Sequence, residues 1–250
     1  MADQKVYQFY AELDDFKPKI WRRFQIRDDA TVARLGYVLM TLFEMTGGHL
    51  FSIEIPWVHN RLKYKERTMP GCDNSEFTSI ETKPVWRFEV PFQLEMEPLW
   101  NEETTAIYDA SAGTLRQFIA NEGDELRFNY DFGDDWNVSL HIEHALVLPD
   151  FPGRELPRVL DGGCFGIVED CGGPYGLADL VKAFRKKRGE DYETFSEWMG
   201  VSDFDINAFD LDDMNYRVKK LPRVYQQSYE QFLSPTKKSI DLIERRYLEK

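Results

Sequence analysis

The sequence predicts an α+β domain with a curved, mainly antiparallel sheet and packed helices. Three observations carry that prediction. Runs of period-two hydrophobicity come in adjacent pairs, which marks hairpins rather than crossover units. Helical patterns separate those pairs and do not alternate with single strands, as a doubly wound parallel sheet would require. Short Gly/Asp turns join the paired runs.

Taken in order, Tyr7, Phe9, Ala11 and Leu13 share one parity and predict a half-buried strand. A turn through Asp14–Pro18 leads to a second strand. There Ile20, Phe24 and Ile26 face one way, and Trp21, Arg23 and Gln25 the other. A helix follows, with Asp29 or Thr31 to cap it and an apolar stripe of Val32, Leu35, Leu39, Leu42 and Phe43. Gly47-Gly48 is expected to end it. Residues 50–55 make the next strand. Prolines punctuate 56–108, so irregular crossings are expected there, with strands near 86–94 and 105–108. A short helix is expected over 111–119. Leu126, Phe128, Tyr130 and Phe132 then alternate with polar residues, as do Trp136, Val138, Leu140 and Ile142. Gly133-Asp134-Asp135 between them predicts a hairpin with a three-residue turn. A Gly/Pro-rich loop runs to Gly176, followed by a helix from Leu177 to about Arg188. Short helices are expected at Phe195–Met199 and Asp212–Val218. A final helix opens at Ser234-Pro235, with an Ile240, Ile243 and Tyr247 stripe that docks on the body or on a partner. The expected division is one domain over 1–218 and a C-terminal helical extension over 219–250.

The net charge of −13 is unevenly placed: residues 1–176 hold 30 acidic and 17 basic residues, and the remainder is balanced at 14 of each. Such a surface repels phosphate backbones, so nucleic acid is an unfavoured partner. Basic clusters remain at Lys182/Arg185–Arg188 and at Lys237/Lys238 with Arg245/Arg246, and a charge run on a helix is ordinarily a solvated face. No apolar run reaches the ~20 residues of a membrane helix, and no apolar signal core follows the N-terminus, so a cytoplasmic location is expected. Three cysteines (Cys72, Cys164, Cys171) do not suggest a disulfide scaffold.

The stretch YDFGDDW, residues 130–136, sets three carboxylates and a glycine among three aromatics. A kinase Asp-Phe-Gly is excluded, because no glycine-rich phosphate loop, strand lysine or His-Arg-Asp loop accompanies it. An EF-hand is excluded by the lack of alternating carboxylates and a terminal Glu. The residues suit a tight turn, which could also present Asp131, Asp134 or Asp135 to a ligand. Cys164 and Cys171 are seven apart with no second pair, so a structural zinc site is not expected. His141 and His144, three apart on a strand, are expected on opposite faces. His49 follows two glycines at a helix–strand junction. Glu169 and Asp170 precede a helix whose N-terminus favours anionic groups. If the fold brings these near the hairpin turn, an oxygen/nitrogen site for a divalent metal forms; otherwise His49 caps or packs. Neither a Gly-x-Ser-x-Gly elbow nor a Cys–His pairing appears, so nucleophilic catalysis has no support.

KPKIWRRFQI (17–26), GGHLFSIEI (47–55), LRFNYDFGDDWNVSL (126–140), EDCGGPYG (169–176) and FDINAFDLDDMN (204–215) together resemble the plasmid pRiA4b ORF-3-like family, a group of largely uncharacterised bacterial and archaeal proteins. The resemblance implies an α/β-roll-like fold and no settled activity. Some relatives carry a mobile-element passenger or resolvase-like label. Members typically have a His where this chain has Val138, and Cys-Pro-Pro-Glu-Asp where it has Cys164-Phe-Gly-Ile-Val-Glu-Asp. If that His is a ligand or base in relatives, its loss implies a binding variant.

The first functional expectation is therefore a binding or accessory protein. Its acidic, aromatic-lined surface would comprise His49, Asp131, Asp134, Asp135, Trp136, Glu169 and Asp170, facing a basic protein segment or cationic ligand. The second is a divalent-metal-assisted hydrolase using the same carboxylates, with His49 as ligand or base. The third is a mobile-element accessory that touches DNA through Lys237, Lys238, Arg245 and Arg246.

Overall fold

A computed structural model describes residues 3–71, 83–91 and 104–249. The elements are β1 (Gln4–Leu13), β2 (Trp21–Arg27), α1 (Val32–Leu42), β3 (Phe51–Ile55), α2 (Trp57–Thr68), β4 (Val85–Glu89), β5 (Thr105–Asp109) and α3 (Leu115–Phe118). They continue with β6 (Glu125–Tyr130), β7 (Trp136–Leu148), β8 (Arg158–Gly163), α4 (Gly173–Lys186), α5 (Glu190–Met199), α6 (Leu211–Val218), α7 (Leu221–Gln231) and α8 (Lys237–Ile243). The strands form an open sheet in the order β5-β4-β3-β6-β7-β1-β2-β8. Neighbours are antiparallel except β4 and β5, which are parallel. The α+β architecture with a mainly antiparallel sheet is thus present.

Both expected hairpins form, and Trp136, Val138, Leu140 and Ile142 are buried as their parity requires. The β6–β7 connection is longer than the expected three residues. Asp131 takes a left-handed φ of 54°, which turns the chain out of the β6–β7 ladder after Tyr130, and five residues make the turn; its N–H bonds the Leu50 carbonyl on the β3 side. Phe132 leaves the strand, and the Arg87 guanidinium lies over its ring.

Several elements depart from the expectations. Residues 57–68, expected to be irregular, form α2. This helix buries only Asn60, so it carries no apolar stripe, and the Asn60 amide bonds both backbone groups of Glu125. The Gly/Pro-rich stretch before Gly163 contains edge strand β8, paired to β2. The helix expected from Leu177 begins at Gly173, and α7 fills a part of the extension where no separate helix was foreseen. His141 and His144 do not face opposite ways. A bulge in the β1–β7 ladder shifts the parity between them, and both line one groove with Gln8, Arg23 and Glu143. Cys72 and positions 92–94 lie outside the described residues. Among the described residues no helix is long and apolar enough to cross a membrane.

Every residue of α1 except Arg34 is buried, which a helix on an open sheet achieves only with cover on its outer side. That cover comes from α6 and α7. Leu221, Tyr225 and Tyr229 of α7 belong to the same core as α1, and Tyr229 stacks on Tyr37 at 5.7 Å. The terminal segment docks within the chain through charge. Arg217 and Arg245 both bond the Glu44 carboxylate, and Arg245 also reaches Asp213. Arg246 faces Glu244 and Asp241, so two of the four C-terminal cations already have carboxylate partners.

Arg22 locks the end of α1 to the β8 side of the sheet. It is fully buried and donates to the carbonyls of Leu42, Trp21, Gly163 and Phe165 at 2.6–2.8 Å. Burial pulls its guanidinium down to about 10, opposed by Glu44 and Cys164, so it is still charged at neutral pH. Arg22→Met leaves four carbonyls without this donor. We expect a loss of about 3 kcal/mol or more in urea denaturation, since each buried orphan costs roughly 1–3 kcal/mol.

Candidate metal centre

Three loops meet beyond the end of α1. The first carries residues 44–50 from α1 to β3, the second is the β6–β7 turn, and the third runs from β8 to α4. Tyr130, at the end of β6 and fully buried, ties them together. Its hydroxyl donates to Glu169 Oε1 at 2.6 Å and accepts from the amides of Gly47 at 3.2 Å and His49 at 3.3 Å. Burial, and then the Glu169 charge, push this phenol far above its ordinary range, so it stays a donor. Glu169 also takes the Thr46 amide at 2.7 Å and the Thr46 hydroxyl.

Two glycines permit the approach. Gly173 has a φ of +69°, and a Cβ there would lie 2.5 Å from the Asp134 carbonyl oxygen, so the hairpin turn can rest against the start of α4. Gly47, at +87°, lies against the Tyr225 ring, which a Cβ would meet at 2.9 Å.

The result is a group of three donors. His49 Nδ1 lies 3.4 Å from Asp131 Oδ2, and its Nε2 lies 3.5 Å from Asp170 Oδ1. One ligand atom from each residue falls within 4.8 Å of the others. Asp131 is held in place because its Oδ1 accepts from the Gly133 amide at 3.1 Å and the Asp134 amide at 3.4 Å. Asp170 has a side chain 70% exposed, which leaves it room to move. Asp131 and Asp170 both sit at positive φ (54° and 59°), a left-handed conformation that Asp adopts more readily than most residues.

The other sequence-selected residues stand elsewhere. Glu169 spends its carboxylate on Tyr130 and Thr46. Asp135 is exposed and accepts from the Asn129 amide at 2.6 Å. Asp134 Oδ2 is buried with no hydrogen-bond partner among the described residues. Trp136 corrects the idea of an aromatic-lined surface: it points into the core with none of its surface exposed, because its parity on β7 is that of Val138 and Leu140. Val138 is equally buried. Cys164 is a buried free thiol and Cys171 a half-buried one.

Sequence reasoning did not reach the groups that hold this loop. The Tyr229 hydroxyl donates to the His49 carbonyl, and the Tyr225 hydroxyl to the Met45 carbonyl at 2.7 Å. Leu221, Tyr225 and Tyr229, four apart, with Pro222 in the first turn, were the available signal for the helix. Nothing in the spacing could reveal which carbonyls the phenols meet.

A model of the plasmid pRiA4b ORF-3-like protein family matches residues 5–213. The chain belongs to that family. It is similar to uncharacterized protein y4hQ of Sinorhizobium fredii, with 32% identity over 116 residues, 45% of this chain and 57% of that relative's length. A solved structure, protein of unknown function MM3350 from Methanosarcina mazei Go1, superimposes with a TM-score of 0.61 at 23% identity, covering 84% of this chain and 96% of that one. That likeness shows the fold. Neither similar protein is named for an activity, so the functional reading rests on the geometry of the site.

Two outcomes test this geometry. Gly173→Ala should destabilise by about 2 kcal/mol in thermal or urea unfolding, the usual scale for a side chain forced into a left-handed, close-packed position. Burial, reinforced by Asp134 and Asp170, pushes the Cys171 thiol up to about 12. Its alkylation by iodoacetamide at pH 8 should therefore be slower than that of free cysteine by at least roughly a hundredfold, and recover in urea.

Proposed function

We propose that the protein binds a divalent metal ion through His49, Asp131 and Asp170, and that the ion's open positions receive a ligand for metal-assisted hydrolysis. The observation that carries this reading is the convergence of one imidazole and two carboxylates, from three loops, within 4.8 Å. Protein ligands at ~2.0–2.2 Å from one ion lie roughly 3–4 Å apart, so only the exposed Asp170 has to close in. One nitrogen with carboxylate oxygens suits manganese, zinc or iron(II) better than calcium.

The residues divide the work. Asp131 and Asp170 stand at different ring nitrogens of His49, so the coordination of an ion held by Nδ1 and Asp131 is completed when the exposed Asp170 swings away from Nε2 towards it. The turn amides on Asp131 Oδ1 leave Oδ2 as its free donor. A bound ion supplies Lewis acidity and a water of lowered pKa. The buried Trp136 offers no aromatic face to the alternative partner, a basic segment.

Metal content of untagged protein tests the reading, together with titration of manganese and zinc. We expect about one ion per chain, lost in His49→Ala and Asp170→Asn and kept in Asp135→Ala. Retention of the ion by His49→Ala, or no binding by the wild type, would overturn the reading. With the ion bound, a phosphoester and carboxylester screen should find activity that falls at least about a hundredfold in Asp131→Asn.

A further inference from the structure

Position 213, where the family match ends, is also where a second set of contacts begins. Four residues beyond it reach back to residues 44–49, the loop that carries His49. The Tyr225 phenol holds the Met45 carbonyl at 2.7 Å and the Tyr229 phenol holds the carbonyl of His49 itself. Arg217, 1% exposed, bonds both oxygens of Glu44 at 2.7–2.9 Å, and Arg245 brackets the same carboxylate from the terminal segment. Arg245 is in turn fixed by Asp213 at 2.7 Å, and Asp213 also accepts from the Tyr247 hydroxyl. Glu44 lies at a positive φ of 65° just past the end of α1, so its carboxylate anchors the point where the loop leaves the helix.

We propose that this C-terminal part is a clamp that sets the affinity of the metal centre, with Tyr229 and Arg245 as its positioning residues; the inference rests on the metal reading above. Neither residue meets the ion. Tyr229 acts from the carbonyl side of His49, opposite the Tyr130 hydroxyl on its amide, so the two phenols fix the peptide groups on both sides of the imidazole's Cα. Arg245 acts at the start of the loop by neutralising Glu44 jointly with Arg217. Without it, a buried carboxylate keeps one cation where it had two. Outer groups that orient a ligand commonly change metal affinity ten- to a hundredfold, roughly the scale expected here. Coupling of this kind is reciprocal: an ion that needs the loop in place must also hold the terminal segment down.

The test is manganese titration calorimetry on the full chain, with wild type, Tyr229→Phe, Arg245→Gln, Arg245→Lys and Ile142→Val. Ile142 is buried on β7, in the part of the strand remote from the β6–β7 turn, and its variant controls for a general loss of stability. We expect Kd to weaken about tenfold in Tyr229→Phe and Arg245→Gln, to recover in part in Arg245→Lys, and to hold in Ile142→Val. Manganese should also slow amide exchange across residues 237–244 in the wild type and leave it unchanged in His49→Ala. Equal affinity in all five proteins overturns the clamp and leaves the metal centre standing. Weakening in Ile142→Val to the same degree overturns it too, since the effect would then be one of stability. A wild type that binds no manganese overturns the metal reading, and the coupling with it.

Discussion

The hydroxyl of Tyr130 joins segments that the chain order keeps far apart: the loop at 46–49, the end of β6, and the loop at 169. It has one proton to give and gives it to Glu169, while its oxygen accepts two loop amides. A phenol can satisfy this pattern only while protonated, and burial together with the neighbouring carboxylate keeps it so. The three donors of the candidate centre sit on the three segments this hydroxyl binds. His49 follows the Gly47 amide by two residues, Asp131 follows Tyr130, and Asp170 follows Glu169. The donor set is thus the outer layer of a polar knot centred on the buried Tyr130.

That knot lies where it does because of α1. A helix apolar on all sides must be covered on all sides, and the sheet covers only one. The outer side falls to α6 and α7, which draws the C-terminal helices into the core and leaves Tyr225 and Tyr229 facing the exit of α1. Charge completes the junction. Glu44 and Asp213 are matched by Arg217 and Arg245, and Arg22 ties the last carbonyl of α1 to the β8 side. A loop held this firmly at its base can display a side chain with little entropy left to lose on binding, the preorganisation that ligand sites on rigid scaffolds share.

The hairpins were legible because burial on one face writes itself into alternate positions, as in Leu126, Phe128 and Tyr130 or Trp136, Val138 and Leu140. Helix α2 left no such trace, since it docks through the amide of Asn60 and not through an apolar stripe. Edge strand β8 was hidden by its glycines, which suit a strand whose neighbours press close: a Cβ at Gly162 would meet the Phe209 ring at 2.6 Å. At the site, residue type was enough to select His49, Asp131 and Asp170, but not to separate them from Asp134, Asp135 and Glu169. That separation depends on where the fold places each carboxylate relative to His49, and such placement is set by tertiary contact. Trp136 shows the same limit from the other side. Its parity predicts burial and its place in YDFGDDW suggests exposure, and the strand decides.

The most direct test of the central claim is a crystal soaked with manganese and measured for anomalous scattering. The account expects one strong site, with a His49 nitrogen and oxygens of Asp131 and Asp170 at roughly 2.0–2.3 Å from the ion. An anomalous map with no peak between those three side chains, in crystals where the loops are otherwise as described, would contradict it.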